Sequence, residues 1–277
     1  MRGERSSRIF AADMLDGRVA IVTGGGTGLG RATAAELLAC GATVVIAGRR
    51  EEVLASAASS LGCEYVAGDI RDPASAARIV AAAGGRVDIL VNNAGGQYFV
   101  PAESIALKGW NAVWRLNVGG TMTMTRACAP VFSSDAVLVN VTFSPHHGLP
   151  GMTHSGSARA AVEALSRELA AELAPVSVIA VAAGHFRTES LKKYPAGIAE
   201  AAARTVPLQR LGEEEEHAWL VAMLCSPLGR RFSGTVVTLD GARDNWYGPW
   251  PPPGLVGEGE EVPTEERRAP STQPRSG

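Results

Sequence analysis

The sequence predicts one doubly wound α/β domain with a seven-stranded, mostly parallel sheet, and three observations carry that expectation. Short apolar runs alternate with helix-patterned segments over about 220 residues, with no break in composition. The runs are continuous and β-branched rather than alternating, as in strands covered on both faces. The first run feeds a glycine turn, Thr23-Gly24-Gly25-Gly26-Thr27-Gly28-Leu29-Gly30, which opens a helix.

Each element has its own signal. Residues 1–15 read as a loose arm. Val19-Ala20-Ile21-Val22 is the first strand, and the helix after the turn runs from about Leu29 to Ala39. Gly41 ends it where positive φ costs little. Thr43 to Ala47 is the second strand, Glu51 to Leu61 the second helix, and Cys63 to Ala67 the third strand, closed by Asp69. Pro73 starts an alanine-rich helix that reaches Ala83. Val87 to Val91 is the fourth strand and runs into Asn92-Asn93-Ala94-Gly95-Gly96. Ser104 to about Phe132 is helical with interruptions near Gly119-Gly120, and Ala136 to Val141 is the fifth strand. A long helix from about Gly156 to Leu173 is stopped by Pro175. Val176 to Ala182 is the sixth strand, and residues 184–210 are less regular, with a helix near Ile198 to Thr205. Glu213 to Cys225 is a helix with glutamates in its first turn, and Val236 to Leu239 completes the sheet. Residues 247–277 read as a Pro/Glu-rich tail, largely disordered.

Composition excludes several function classes. Among 277 residues, a net charge of -2 offers no broad cationic surface for nucleic acid, and 5% aromatic content is low for base stacking. Cys40, Cys63, Cys128 and Cys225 sit far apart in apolar segments and read as buried free thiols, not a disulfide set or a zinc knot. No apolar stretch is long enough for a signal peptide or a membrane span, so a cytoplasmic enzyme is expected. His146, His147 and His154 lie close in sequence, yet no Cys or acid completes a zinc set, so no metal is expected.

In a doubly wound sheet, ligands bind across the carboxyl ends of the strands. The turn at the first of these ends leaves helix N–H groups unpaired at the positive end of a dipole, which suits a pyrophosphate. The other ends carry Gly48-Arg49-Arg50, Asp69-Ile70, Asn92 to Gly95, Thr142-Phe143-Ser144 and Ala183-Gly184-His185. TGxxxGxG, NNAG, Asn117 in a helix and a final Asp240-Gly241 follow in order. This series closely resembles the classical short-chain dehydrogenase/reductase superfamily over residues 16–246 and implies a Rossmann-type cofactor-binding and catalytic domain. NNxGGQ at Asn92 to Gln97, Pro101-Ala102-Glu103, Lys108-Gly109-Trp110, His154-Ser155-Gly156 and Pro207 to Gly212 look most like trans-2-enoyl-CoA reductases of peroxisomes and related 2,4-dienoyl-CoA reductases. The chain finishes Arg275-Ser276-Gly277 and not in a peroxisomal targeting tripeptide, so a cytosolic relative is expected.

The resemblance implies a dinucleotide cradle made by Gly24, Thr27, Gly28, Leu29, Gly30, Arg49, Arg50, Asp69, Ile70, Asn93, Ala94, Gly95, Arg159, Gly184 and Thr188. No acid precedes Glu51 at the end of the second strand to take ribose hydroxyls, whereas Arg49 and Arg50 attract a 2′-phosphate, so NADPH is expected over NADH. The catalytic centre departs from the family pattern: Ser155 holds the position of the family's tyrosine and Arg159 that of its lysine. The family's serine maps onto Thr142, Phe143 or Ser144, and Asn117 is expected to hold structure behind the site. Tyr98 is the nearest phenol, and His147 is among the histidines available for acid-base work.

Ketone reduction needs a proton delivered to an alkoxide, for which serine is a poor donor. Reduction of an enoyl thioester instead develops charge at the thioester oxygen and needs hydrogen-bond donors there. The expectation is therefore NADPH-dependent reduction of the C=C of an enoyl thioester or similar activated alkene. The alternatives are a carbonyl reductase using a histidine or Tyr98, and a non-catalytic dinucleotide-binding protein. Residues 185–210 read as a substrate lid, on which Lys192, Lys193 and Arg204 are either CoA-phosphate contacts or solvated charges. The partners expected are an acyl-CoA or other acyl thioester and further copies of the chain, as a tetramer or dimer, with neither nucleic acid nor membrane.

Overall fold

The computed structural model describes residues 6–189, 191 and 197–245. The tail at 247–277, Lys192 and Lys193 lie outside the described residues. The strands are β1 Val19–Thr23, β2 Thr43–Gly48, β3 Glu64–Ala67, β4 Val87–Asn92, β5 Phe132–Phe143, β6 Ser177–Ala183 and β7 Val236–Leu239. They form one sheet in the order β3-β2-β1-β4-β5-β6-β7, and every pairing is parallel. β4 and β6 are buried at every position, which is why they read as unbroken apolar runs. The strand order reverses between β1 and β4, and a doubly wound sheet opens its ligand crevice at such a point.

Among the described residues eight α-helices accompany the strands: α1 Gly28–Ala39, α2 Glu51–Leu61, α3 Pro73–Ala82, α4 Leu107–Trp114, α5 Gly120–Cys128, α6 Thr153–Glu172, α7 Ile198–Arg204 and α8 Glu214–Leu224. Alternate side chains of one strand go to opposite layers. Ala20 and Val22 of β1 pack with Leu37, Leu54 and Val221, while Ile21 packs with Ile79, Leu90 and Met124. Local chemistry sets the helix ends. The Asp72 carboxylate accepts from the N–H groups of Ala74 and Ser75 beside Pro73, and Gly41 has a φ of +98°.

Four expectations need correction. Residues 6–15 are not a loose arm: Leu15 is 1% exposed and its N–H donates to Cys40 O at 2.8 Å. Cys40, Cys128 and Cys225 are buried, but Cys63 is only half-buried. The helix expected over 104–132 is split by a π-turn at Arg115–Gly119, which starts well before the two glycines. Most consequentially, α6 begins at Thr153 with Met152 as its N-cap and not at about Gly156, so Ser155 lies inside the first turn. Gly156 reads as a boundary in sequence, but burial of His154 and Ser155 carries the helix back past it.

One buried histidine makes stability depend on pH. His217 of α8 is 0% exposed, with Nδ1 3.3 Å from Thr33 Oγ1 and Nε2 without a hydrogen-bond partner among the described residues. Burial pushes its pKa down from 6.5 to about 4. An unfolded histidine takes up a proton near pH 6.5 and the folded one does not, so stability is full above that pH and falls as pH drops toward 4. At pH 5 the loss from this group is about 2 kcal/mol. Melting curves at pH 7.5 and 5 should show that loss in the wild type and a clearly smaller one in His217→Phe; equal losses would contradict it.

Candidate active site

The glycine turn is fastened to the end of β4. Thr23 Oγ1 donates to Val91 O at 3.2 Å and accepts from the N–H groups of Asn93 and Ala94 at 3.1 and 3.0 Å. Asn93 Nδ2 in turn donates to Thr23 O at 3.0 Å. Gly24 and Gly28 have φ of +69° and +55°, conformations that a side chain rarely adopts. At Gly30 the constraint is space: a Cβ would stand 2.4 Å from both Asn93 Nδ2 and Gly24 O. Thr27 makes no side-chain cap and the first turn of α1 carries no acid, so the helix start is electrostatically open to an anion.

A cavity of about 1240 Å³ runs from this turn along the carboxyl edge of the sheet. Gly24, Thr27, Gly28, Leu29, Gly30, Arg49, Arg50, Asp69, Ile70, Asn93, Ala94, Gly95, Arg159, Gly184 and Thr188 all line it. At one end stand Arg49 and Arg50, both exposed. The neighbouring Asp69 carboxylate is held by Arg71, with Nε at 2.9 and 3.0 Å, and those hydrogen bonds pull its pKa down to about 2. At the other end the wall becomes apolar, with Phe99, Leu149, Met152 and Leu191.

The two ends meet at Arg159. This side chain rises from α6 beneath Gly95, where a Cβ would fall 2.1 Å from Nη2, and Nη1 donates to Val141 O at 2.6 Å. Burial lowers its pKa to about 10 against the opposing pull of Glu163, so it stays charged at neutral pH. Its Nε has no hydrogen-bond partner among the described residues and is buried at the cavity. An orphaned donor on a cation here fits the ribose hydroxyls of a dinucleotide.

Asn117 lies in the π-turn behind this point and is 0% exposed. Its amide donates to Gly96 O and Val113 O, both at 2.9 Å, and its carbonyl accepts from Gly96 N at 3.3 Å, so it braces the β4 loop. Thr142 and Ser144 both reach the cavity wall. The Thr142 hydroxyl donates to Glu163 Oε1 at 2.7 Å, and the Ser144 hydroxyl donates to the Asp240 carboxylate.

Three expected residues are elsewhere. Ser155 is fully buried and absent from the wall; its hydroxyl donates only a long 3.4 Å bond to Gln97 Oε1. Tyr98 packs on His154 with centroids 4.3 Å apart and the rings tilted by 52°, and turns its hydroxyl toward Gly109 of α4. His147 is off the wall, with Nδ1 3.2 Å from Asp244 O. Arg204, considered as a phosphate contact, is exposed and off the wall as well.

Sequence reasoning passed over Glu163 and Asp244, and it chose His147 where the structure brings His146 to Glu163. Glu163 follows Arg159 by four residues and therefore shares its helix face, a signal that was readable. His146 and Asp244 are 98 residues apart and meet only because β5 and β7 end side by side with β6. No local pattern announces such a pair.

Comparison with known proteins gives the same architecture a family. The family model described as "Enoyl-(Acyl carrier protein) reductase" matches residues 24–242. A peroxisomal 2,4-dienoyl-CoA reductase of Danio rerio is 34% identical over 255 residues, 85% of this chain and 84% of that protein. A rhamnolipids biosynthesis 3-oxoacyl-[acyl-carrier-protein] reductase of Pseudomonas aeruginosa is 33% identical, over 82% of this chain and 96% of that one. Among solved structures, a Pseudomonas aeruginosa RhlG/NADP active-site complex superposes with a TM-score of 0.79 at 31% identity, covering 85% of this chain and all of that one. With its parallel sheet, its glycine turn bolted to NNAG and these relatives, the chain belongs to the short-chain dehydrogenase/reductase family of oxidoreductases.

Proposed function

We propose that the protein is an NADPH-dependent reductase of the C=C bond of an enoyl thioester or a similarly activated alkene. The observation that carries this reading is that no phenol lines the cavity wall among the described residues: Ser155 is buried behind it, and Tyr98 turns away. An alkoxide wants a strong nearby acid, whereas an enolate needs donors around an oxygen. The wall offers the Thr142 and Ser144 hydroxyls there, with the charged Arg159 beside them. NADPH, when bound, supplies the hydride. Arg159 and the glycine turn hold it, and Phe99, Leu149 and Met152 give the acyl end an apolar wall. The 2,4-dienoyl-CoA reductase relatives support an acyl-CoA substrate, with residues 185–210 as its lid.

A carbonyl reductase is the second reading, favoured by the 3-oxoacyl-[acyl-carrier-protein] reductase relative. NADPH oxidation with crotonyl thioesters, simple enones and ketones separates the two. Turnover of the alkenes is expected, and turnover of ketones alone would reject the first reading. Tight NADPH binding with no turnover on the whole panel would instead favour the non-catalytic one.

The preference for NADPH rests on Arg49 and Arg50 where an NAD enzyme has an acid. Fluorescence titration should show NADPH bound at least about tenfold more tightly than NADH, and Arg49→Ala should remove most of the difference. Equal affinities in the wild type would sink the assignment. The same proposal includes a cytoplasmic homo-oligomer, a tetramer or a dimer. Leu107 of α4 and Met122 of α5 are exposed apolar side chains that association would cover. A monomeric mass in solution would contradict it.

A further inference from the structure

The family's lysine can pass protons, but the arginine at its position here cannot give one up at working pH. Any reductive turnover still consumes a proton as well as a hydride. A chain of polar groups reaches from the cavity wall to the surface at this point. Thr142 Oγ1 donates to Glu163 Oε1 at 2.7 Å, and the same carboxylate oxygen lies 3.1 Å from His146 Nε2. The other ring nitrogen of His146 is hydrogen-bonded to Asp244, and the imidazole is about a third exposed, with a side-chain exposure of 34%. Glu163 is 7% exposed and Thr142 2%, so the path is dry at its inner end and wet at its outer one.

We propose that His146, Glu163 and Thr142 form a proton relay that supplies the reduced substrate from solvent. The inference rests on the reductase reading above. The Thr142 O–H bond breaks as its proton passes to the substrate atom carrying the new charge. Glu163 returns a proton to the Thr142 oxygen while His146 Nε2 gives its own to Glu163. One proton thus leaves the imidazolium for each hydride received, and His146 regains it from water at its exposed edge. Thr142 is the group that meets the substrate; Glu163, His146 and Asp244 are positioning and relay residues.

The electrostatics favour a charged imidazole. Burial works against the proton on His146, but the hydrogen bond to Asp244 and the proximity of Glu163 outweigh it and raise the pKa. Beyond these two contacts stand His147, 3.7 Å from Asp244, and Asp240, whose carboxylate accepts the Asp244 N–H at 2.7 Å. Arg159, one turn before Glu163, and Arg243 on the cavity wall add positive charge. The relay needs His146 protonated, so kcat should fall as pH rises through its raised pKa.

The test is kcat from pH 5.5 to 9, with NADPH and a crotonyl thioester or a ketone, in wild type, Glu163→Gln, His146→Gln, Thr142→Val and Thr142→Ser. Glu163→Gln and Thr142→Val should lose at least about tenfold in kcat with NADPH affinity unchanged, and Thr142→Ser should recover most of the rate. His146→Gln should lose the alkaline limb. Glu163→Gln that binds NADPH and keeps both the wild-type rate and the wild-type profile overturns the relay while the reductase reading stands. Wild-type turnover of ketones alone overturns the enoyl reading, and the relay is then decided on the ketone by the same variants. No turnover of either class overturns both.

Discussion

Gly30→Ala should weaken NADPH binding about 30- to 1000-fold. The added Cβ would stand 2.4 Å from Gly24 O and 2.4 Å from Asn93 Nδ2, and neither can retreat. Gly24 is held in a turn with φ of +69°, and Asn93 is held by its bond to Thr23 O. Overpacking of this kind costs about 1–3 kcal/mol, and severing the Asn93 bridge adds about 1 kcal/mol. Both losses fall on the turn proposed to hold the pyrophosphate. Gly156→Ala is the matched control, since nothing lies within 4 Å of its Cβ position. In the interior of α6 that change should stabilise the protein by about 0.5–1 kcal/mol. Fluorescence titration and melting curves of the two variants read both outcomes; similar NADPH affinities would refute the role of the turn.

Arg159→Met should reduce kcat/KM at least about 100-fold, equivalent to about 3 kcal/mol of transition-state stabilisation. The substitution removes the buried cation of the cavity wall and leaves Val141 O without its 2.6 Å donor. Gly95→Ala should act in the same direction, because its Cβ would collide with Arg159 Nη2 at 2.1 Å. Ser155→Ala should cost less than about threefold, since the hydroxyl makes one bond of 3.4 Å and does not reach the cavity. If Ser155→Ala proved as damaging as Arg159→Met, the serine would be the proton donor and the relay through Glu163 would be superfluous.

These contrasts show where the sequence speaks and where it falls silent. The sheet was legible because strands buried on both faces must be apolar at every position, as β4 and β6 are. The cavity wall was legible for a related reason. In this topology, the residues that follow each strand converge on one edge, so Arg49, Asp69, Asn93 and Gly184 could be gathered without knowing a single distance. The centre of the site resisted because it depends on exact starts and directions. α6 begins three residues before Gly156, and that small shift turns Ser155 into the protein interior. Tyr98 follows the NNAGG turn, yet the backbone points it at His154 and Gly109. Glu163 shares a helix face with Arg159 in sequence, but only the fold brings Thr142 of β5 and His146 of the following loop against it.

The central claim is that hydride lands on carbon of an activated alkene. Reaction of [4-²H]NADPH, labelled on the transferred position, with a crotonyl thioester tests it directly, with the product read by NMR. The account predicts a saturated acyl thioester carrying deuterium at its β-carbon. Crotonyl thioester left unreacted, alongside a 3-oxoacyl thioester reduced to a 3-hydroxyacyl product with deuterium on the carbinol carbon, would contradict it.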